Sequence, residues 1–171
     1  MTLAFVDCCT LGPDIDLHAV YEVGIVVRDD NGDSEDSWFL AAEGLAFADR
    51  SWPDLERFFD QHPQGIAKHG SKIASELSLV DLETFSHGLL MLTRDATLIT
   101  SSFCEERLRK IIRSQGLAHA WGEVIDLASF AKGARFKIPE GHPSALGRAK
   151  VSRLVYDSIV GSSPPKTSAS R

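Results

Sequence analysis

The 171-residue sequence predicts an α/β fold: a mixed sheet of about five strands, the first three antiparallel, with flanking helices. Two observations support it. Three apolar segments lie before residue 42, and a tight-turn sequence, DDNGD, joins the second to the third. After residue 78, segments with helical spacing alternate with short apolar runs, which is typical of strands connected through helices.

The three opening segments are predicted to be consecutive strands. Residues 3–8 are continuously apolar, as expected of a strand that is buried on both faces. Residues 19–28 are rich in Val and Ile. The pair Asn31-Gly32 tolerates the positive φ angles of a type I′ turn, which predicts a hairpin into a third strand at residues 37–41.

The middle of the chain predicts two helices around a strand. A first helix is expected at residues 79–93, where Ser78 and an acid three residues later fit a capping pattern. A strand follows at 96–100. A second helix at 103–114 should bury Leu108 and its apolar neighbours and turn Arg107 mostly outward. A shorter helix is also expected between residue 51 and residue 58 or 59, with a proline in its first turn.

The last third predicts a strand, a short helix and a closing helix. The strand covers residues 121–127 and runs into a helix that ends near residue 131. Pro143 suits the first turn of a helix through residue 160. We expect a single domain at residues 1–161 and a disordered tail at 162–171, because the tail is polar and contains prolines.

Composition favours an intracellular protein. No apolar stretch reaches the ~18 residues needed to cross a bilayer, and the N-terminus lacks a secretory pattern. The three cysteines, Cys8, Cys9 and Cys104, are an odd number and indicate reduced thiols. We therefore expect a cytoplasmic protein that does not engage a membrane.

Charge is divided unevenly along the chain. Residues 1–106 hold 6 basic and 20 acidic residues, a net charge of −14, whereas residues 107–171 hold 12 basic and 4 acidic, a net charge of +8. A basic half can lie along a phosphate backbone, although segregated charge is also common on solvated helices. Nucleic acid is thus one predicted partner.

Four segments resemble the DEDDh-type 3′–5′ exonuclease family: FVDCCTLG at residues 5–12, YEVGIVV at 21–27, LITSSFCEERL at 98–108 and GHPSALGRAK at 141–150. Their sequence pattern is most similar to that of the exonuclease-like proteins of actinobacteria and their phages. The resemblance implies a ribonuclease H-like three-layer fold. It also implies a site where carboxylates hold two divalent metals, Mg²⁺ or Mn²⁺, and a histidine acts as general base.

The departures from the family fall on that site. Asp7 keeps the first acid and His142 the histidine, although His142 lies one residue too far from the last motif. Cys9 and Cys104 stand where the family has acids, and Arg148 takes the place of the last Asp. Because Mg²⁺ prefers oxygen ligands, the motifs are degenerate and we expect magnesium-dependent catalysis to be lost or strongly impaired.

The resemblance also implies where nucleic acid would bind. Thr10 and Leu11 in the first motif, Phe103 in the second and Arg148 in the last would contact a strand end, with Arg148 meeting a phosphate. The leading hypothesis is a module that binds single-stranded nucleic acid ends or another partner. One alternative is an active exonuclease with shifted ligands drawn from Glu22 or Glu105; the other is a protein-binding subunit with no nucleic acid.

The cysteines have three further interpretations. The simplest is that Cys9 and Cys104 are small buried hydrophobic residues. A second is a zinc site of Asp7, Cys9, Cys104 and His142, since thiolate and imidazole ligands suit tetrahedral zinc. A disulfide between Cys9 and Cys104 is the third. Two other residues also have a simpler interpretation. His142 suits the position before a helix start, and Arg148 suits a solvated helix face.

Overall fold

The computed structural model describes residues 1–10, 20–40, 80–139, 142 and 144–161. Five strands and four helices are named within this part of the chain, and they alternate as the sequence predicts. The strands are β1 (Leu3–Thr10), β2 (Val20–Asp29), β3 (Gly32–Phe39), β4 (Thr97–Thr100) and β5 (Val124–Asp126). The helices are α1 (Leu82–Thr93), α2 (Ser102–Ser114), α3 (Leu127–Gly133) and α4 (Ala145–Gly161).

The strands form one mixed sheet in the order β3-β2-β1-β4-β5. β1 pairs antiparallel with β2, and β2 pairs antiparallel with β3. β4 lies parallel to β1, and β5 lies parallel to β4. The predicted α/β fold with a mixed five-stranded sheet is therefore confirmed. Because β1, β4 and β5 run in the same direction, their carboxyl ends meet at one edge of the sheet, and this edge carries the candidate site.

Helices cover both faces of the sheet. On one face, α1 and α2 bury Phe85, Leu89, Leu108 and Ile112 against alternate residues of the central strands. On the other face, α3 and α4 pack Leu127, Ala131, Ala149, Val155 and Ile159 over Leu3, Phe5, Val26 and Ile99. The central strand β1 thus sends successive side chains to opposite cores, as a strand buried on both faces must.

Gly24 fixes how closely α4 approaches the sheet. A Cβ atom at this position would lie 2.1 Å from the backbone nitrogen of Leu146 and 2.3 Å from its Cα. Since both are main-chain atoms, no side-chain rotation would relieve the overlap. The missing Cβ therefore lets the first turn of α4 rest directly on β2, close to the end of β1.

Three details of the predicted elements are wrong. The third strand spans Gly32–Phe39 and not residues 37–41, because the turn lies at residues 30 and 31 and not at Asn31-Gly32. α1 is capped by Asp81, whose side chain accepts from the Thr84 backbone N–H, and not by Ser78. The helix starts late because Val80 is still extended and forms a parallel bridge with Leu40. Arg107 is 2% exposed, not outward. Its stem lies on the inner side of α2 while its guanidinium packs over the Phe103 ring, 4.2 Å from the centroid.

Some predictions fall outside the described residues. These are the short helix after residue 51, Leu11 as a binding residue, and the tail at 162–171. Within the described part, no helix is both long and apolar enough to cross a membrane.

Candidate functional site

The site lies where β1 ends. Asp7, Cys8 and Cys9 are consecutive, so their side chains alternate between the two faces of the sheet. Asp7 and Cys9 both reach Arg148 on α4. Cys8, between them, contacts Cys104 at the start of α2. A register irregularity between Cys9 and Thr10 ends the regular pairing with β2.

Arg148 is the centre of this arrangement. Its Nε donates to Oδ1 of Asp7 at 3.0 Å, and its second terminal nitrogen donates to the carbonyl of Cys8 at 2.8 Å and to Sγ of Cys9 at 3.1 Å. Its first terminal nitrogen donates to the carbonyl of His142 at 3.2 Å. All three guanidinium nitrogens therefore donate to protein groups, and the side chain ties α4 to the end of β1.

The Asp7 carboxylate is largely enclosed. Its side chain is 24% exposed and that of Arg148 is 21% exposed. Burial raises the pKa of Asp7, although the Arg148 charge, its hydrogen bond and the Cys8 backbone N–H act in the opposite direction. The site thus holds a carboxylate that is costly to ionise and is balanced by a single guanidinium.

Both predicted cysteine ligands are held as thiols. Burial raises the pKa of Cys9 to about 12, with the nearby Glu22 contributing and Arg148 opposing. The hydrogen-bonded Cys8 thiol and burial raise the pKa of Cys104 well above its usual value. The three cysteines all lie in described segments, and none is joined in a disulfide. Cys104 hydrogen-bonds with Cys8, and the disulfide between Cys9 and Cys104 that the sequence left open is not formed.

The imidazole of His142 is held by the start of α4. Its Nδ1 lies 2.9 Å from the Ser144 hydroxyl and 3.2 Å from the Ser144 backbone nitrogen. A backbone N–H can only donate, so Nδ1 accepts and the proton of the neutral ring lies on Nε2.

Gly147 makes room for this histidine. A Cβ there would lie 2.0 Å from Nδ1 of His142 and 2.2 Å from its Cγ. The Ser144 hydroxyl also accepts from the Gly147 backbone N–H at 3.0 Å, as a helix cap does. His142 is thus part of the cap of α4.

Glu22 anchors the same helix from the sheet. It is 1% exposed, and its Oε1 accepts from the Ala145 backbone N–H at 2.9 Å. It is the register partner of Cys9 on the neighbouring strand. A carboxylate placed at the positive end of a helix stabilises that end, so Glu22 positions α4 and with it Arg148.

With this geometry in place, comparison with solved structures identifies the fold. The zinc-ion-bound form of the E. coli ExoI–ssDNA complex matches with a TM-score of 0.66 at 12% identity, covering 96% of this chain and 41% of that chain. An ExoI/SSB-Ct complex matches with a TM-score of 0.63 at 12% identity (96% and 42%). Apo exonuclease I matches with a TM-score of 0.61 at 14% identity (96% and 42%).

The fold is exonuclease I-like. The chain spans about two fifths of the length of the exonuclease I chains it matches. No family model and no curated protein matches the sequence. At 12% identity the likeness establishes the fold and leaves the chemistry to the residues of this chain.

Those residues do not fit the metals that the exonuclease resemblance implies. Asp7 is the one acid of the predicted ligand set that is present, and it is bound to a guanidinium. Metal-binding cysteines must lose their protons, which burial opposes here at Cys9 and Cys104. Among the described residues, no group of three or more His, Cys, Asp and Glu side chains is arranged to hold a metal ion.

The acids weighed as shifted ligands are engaged elsewhere. Glu105 pairs with Arg109, one turn further along α2, and Arg109 also contacts the ring of His119. Glu22 holds the start of α4. Glu105 thus has another partner, whereas Glu22 lies near Cys9 as well as at the start of α4.

Two site residues were missed from sequence alone. Cys8 was left out because the family motif draws attention to Asp7 and Cys9; the two-residue period of a strand would have assigned Cys8 to the opposite face. Gly147 looked like an ordinary helix residue. No sequence signal shows that a ring packs against it, because that depends on where His142 lies.

Proposed function

We propose that this chain is a DEDDh-type exonuclease-like domain, of ribonuclease H-like fold, that has lost magnesium-dependent hydrolysis. One observation carries the proposal: the guanidinium of Arg148 donates to Asp7, the acid that would anchor a metal, at 3.0 Å. A cation approaching Asp7 meets a fixed positive charge in the same space. Cys9 adds a protonated thiol, which is a poor ligand for magnesium.

We further propose that the domain binds single-stranded nucleic acid. The exonuclease I-like fold supports this, since one of the structures it resembles is a complex with ssDNA. Phe103, 42% exposed at the start of α2, offers a ring to a base, and the guanidinium of Arg107 lies behind it. Thr10 lies at the end of β1 at the same edge of the sheet.

Arg148 contributes to this proposal in a restricted way. The sequence suggests that it meets a phosphate. Its three nitrogens already donate to Asp7, to the carbonyls of Cys8 and His142 and to the Cys9 sulfur. A phosphate at this place would have to displace one of these partners, so we assign Arg148 first to holding α4 against β1.

The hydrolysis part is tested with 5′-labelled single-stranded DNA and RNA, incubated with Mg²⁺ or Mn²⁺ beside an Asp7→Ala variant. We expect no shortening that depends on Asp7. Shortening by the wild type that disappears in Asp7→Ala would show an active exonuclease with shifted ligands and overturn this part. Shortening that persists in Asp7→Ala would indicate a contaminating nuclease.

The binding part is tested by fluorescence anisotropy of the same strands over a range of salt. We expect binding that weakens steeply as salt rises, because phosphate contacts release counterions. Phe103→Ala should weaken it by at least fivefold, in line with the worth of one base–ring stack. A wild-type protein that binds no strand at low salt would overturn the nucleic-acid part and favour a protein-binding role.

A further inference from the structure

A basic segment begins in the last turn of α3, continues beyond the helix and is exposed throughout. All eight residues from 132 to 139 are exposed, and they include Lys132, Arg135 and Lys137 but no acid. Phe136 and Ile138 are each 37% exposed within it. In a chain with a net charge of −6, this is a local charge of +3 beside two large apolar side chains. We call these five residues the post-α3 patch.

The cations of the post-α3 patch are available to a partner. Several other basic side chains are paired with acids: Arg28 and Arg153 both bind Asp33, and Lys150 binds Glu35 at 2.6 Å. Ion pairs between described residues include none from Lys132, Arg135 or Lys137. Their charge is therefore not offset by a neighbouring carboxylate within that part of the chain.

Hydrogen bonds hold the backbone of the patch in a turn at residues 134–136. The N–H groups of Ala134, Arg135 and Phe136 donate back to the carbonyls of Phe130, Lys132 and Ala131, at 3.1, 3.1 and 2.8 Å. Arg135 has a φ of 55°, a left-handed conformation that a non-glycine residue adopts only when its surroundings hold it there. The ring and the cations are thus presented on an ordered turn, which lowers the entropy lost on binding.

The patch leads into the candidate site. Phe136 and His142 are six positions apart, a distance of at most ~20 Å along the chain. The carbonyl of His142 accepts from Arg148. The patch therefore lies within ~20 Å of chain from a residue that contacts Arg148 at the carboxyl end of β1.

We propose that the post-α3 patch binds single-stranded nucleic acid, with Lys132, Arg135 and Lys137 contacting phosphates and Phe136 stacking on a base. This inference rests on the proposed function and names the surface that performs it. Positive side chains beside an exposed ring suit a single strand, because its bases are open to stacking and its backbone is anionic. An acidic protein segment would use the cations but would gain nothing comparable from the ring.

The experiment compares two variants that change net charge equally. Arg135→Glu with Lys137→Glu alters the patch. Arg94→Glu with Arg113→Glu is the matched control and alters two exposed arginines, one directly after α1 and one on α2. Anisotropy with a labelled dT20 strand and a U20 strand gives the affinity of each. We expect a loss of at least tenfold for the patch variant, no more than threefold for the control, and a salt slope reduced by about 1.4 in the patch variant.

Two further measurements test whether the patch binds a nucleic-acid strand or any anion. Phe136→Ala, which leaves the charge unchanged, should weaken strand binding at least fivefold. Polyglutamate of equal charge should compete poorly with the strand. If it competes equally and Phe136→Ala has no effect, the patch is a general anion surface and the proposal is overturned.

The outcomes separate this proposal from the one it rests on. If the wild type binds and both double variants weaken binding equally, the assignment of binding to the post-α3 patch is overturned. The proposed binding function is then unaffected. A wild type that binds no strand would overturn both. Unfolding midpoints of all variants in urea confirm that a lost signal reflects lost binding.

Discussion

Arg148 and Asp7 are 141 positions apart in sequence, and their side chains meet at 3.0 Å between α4 and β1. The pair is mostly buried, so each charge depends on the other. Replacing Arg148 with Met should lower the free energy of unfolding at pH 7 by about 2–3 kcal/mol, because it leaves Asp7 enclosed without its counter-charge. Lys150→Met is the matched control. Its pair with Glu35 is nearly half exposed, and we expect a loss of about 0.5 kcal/mol or less.

The Arg148→Met loss should also depend on pH. Burial raises the pKa of Asp7 in the folded state. The stability that this carboxyl contributes is therefore present when it is protonated and is lost as the pH rises through its folded-state pKa. Without the Arg148 charge, the ionised Asp7 carboxylate destabilises the folded state more. The loss should therefore shrink toward pH 4, and Asp7→Asn should restore part of the stability of Arg148→Met at pH 7. Equal losses at both pH values would contradict this account.

Gly24→Ala should be strongly destabilising. The new Cβ would overlap the main chain of Leu146 at 2.1 Å, and α4 would have to move off the sheet. We expect a loss of about 3 kcal/mol or more in urea unfolding. Gly133→Ala is the control, since nothing lies within 4 Å of its added Cβ. That variant should be neutral or slightly stabilising, and a comparable loss in both variants would argue against the close approach of α4.

The effect of Gly147→Ala on the free energy of unfolding should change sign when the His142 side chain is removed. The added Cβ meets the imidazole at 2.0 Å, but the histidine is exposed and its ring can rotate away, so the expected loss is about 1 kcal/mol or less. In a His142→Ala background the obstacle is gone. The same substitution should then stabilise the helix by up to about 1 kcal/mol, because alanine favours helix over glycine. A double-mutant cycle with no coupling would contradict the packing of this ring.

Asp126 joins the starts of two helices. Its Oδ1 accepts from the Ser129 backbone N–H and its Oδ2 from that of Ser102, both at 2.8 Å. These bonds lower the pKa of Asp126. Asp126→Ala should cost about 2 kcal/mol at pH 7, which is roughly one cap for each helix.

The pH dependence gives the check on Asp126. A lowered folded-state pKa means that the stabilisation is present above the unfolded value of ~3.9 and is lost as pH falls through the folded value. The difference between wild type and Asp126→Ala should therefore narrow below about pH 4. Asp126→Asn, which keeps one acceptor, should lie between them at pH 7.

The sequence was sufficient for the order of elements because the signals are local. The apolar run that ends at Asp7 depends on a few neighbouring residues, and β1 formed where it was expected. The hairpin also formed, but its turn lies at residues 30 and 31, so β3 begins at Gly32 and not at residue 37. The start of α1 was misplaced because the bridge from Val80 to Leu40 extends the chain there. Arg107 was misassigned because its inward position depends on packing beneath the Phe103 ring.

What the sequence by itself determined is that an acid stands at the end of a buried strand and that two cysteines and an arginine stand where the exonuclease resemblance predicts further acids. Only the tertiary structure decided what those residues do to one another. Arg148 reaches Asp7 because Glu22 and Gly24 seat the first turn of α4 on β2. Cys104 meets Cys8 because β1 alternates its side chains between two cores. A hydrogen bond of about 3 Å forms only when the elements that carry its donor and acceptor are correctly placed. Residue identities alone do not specify that placement.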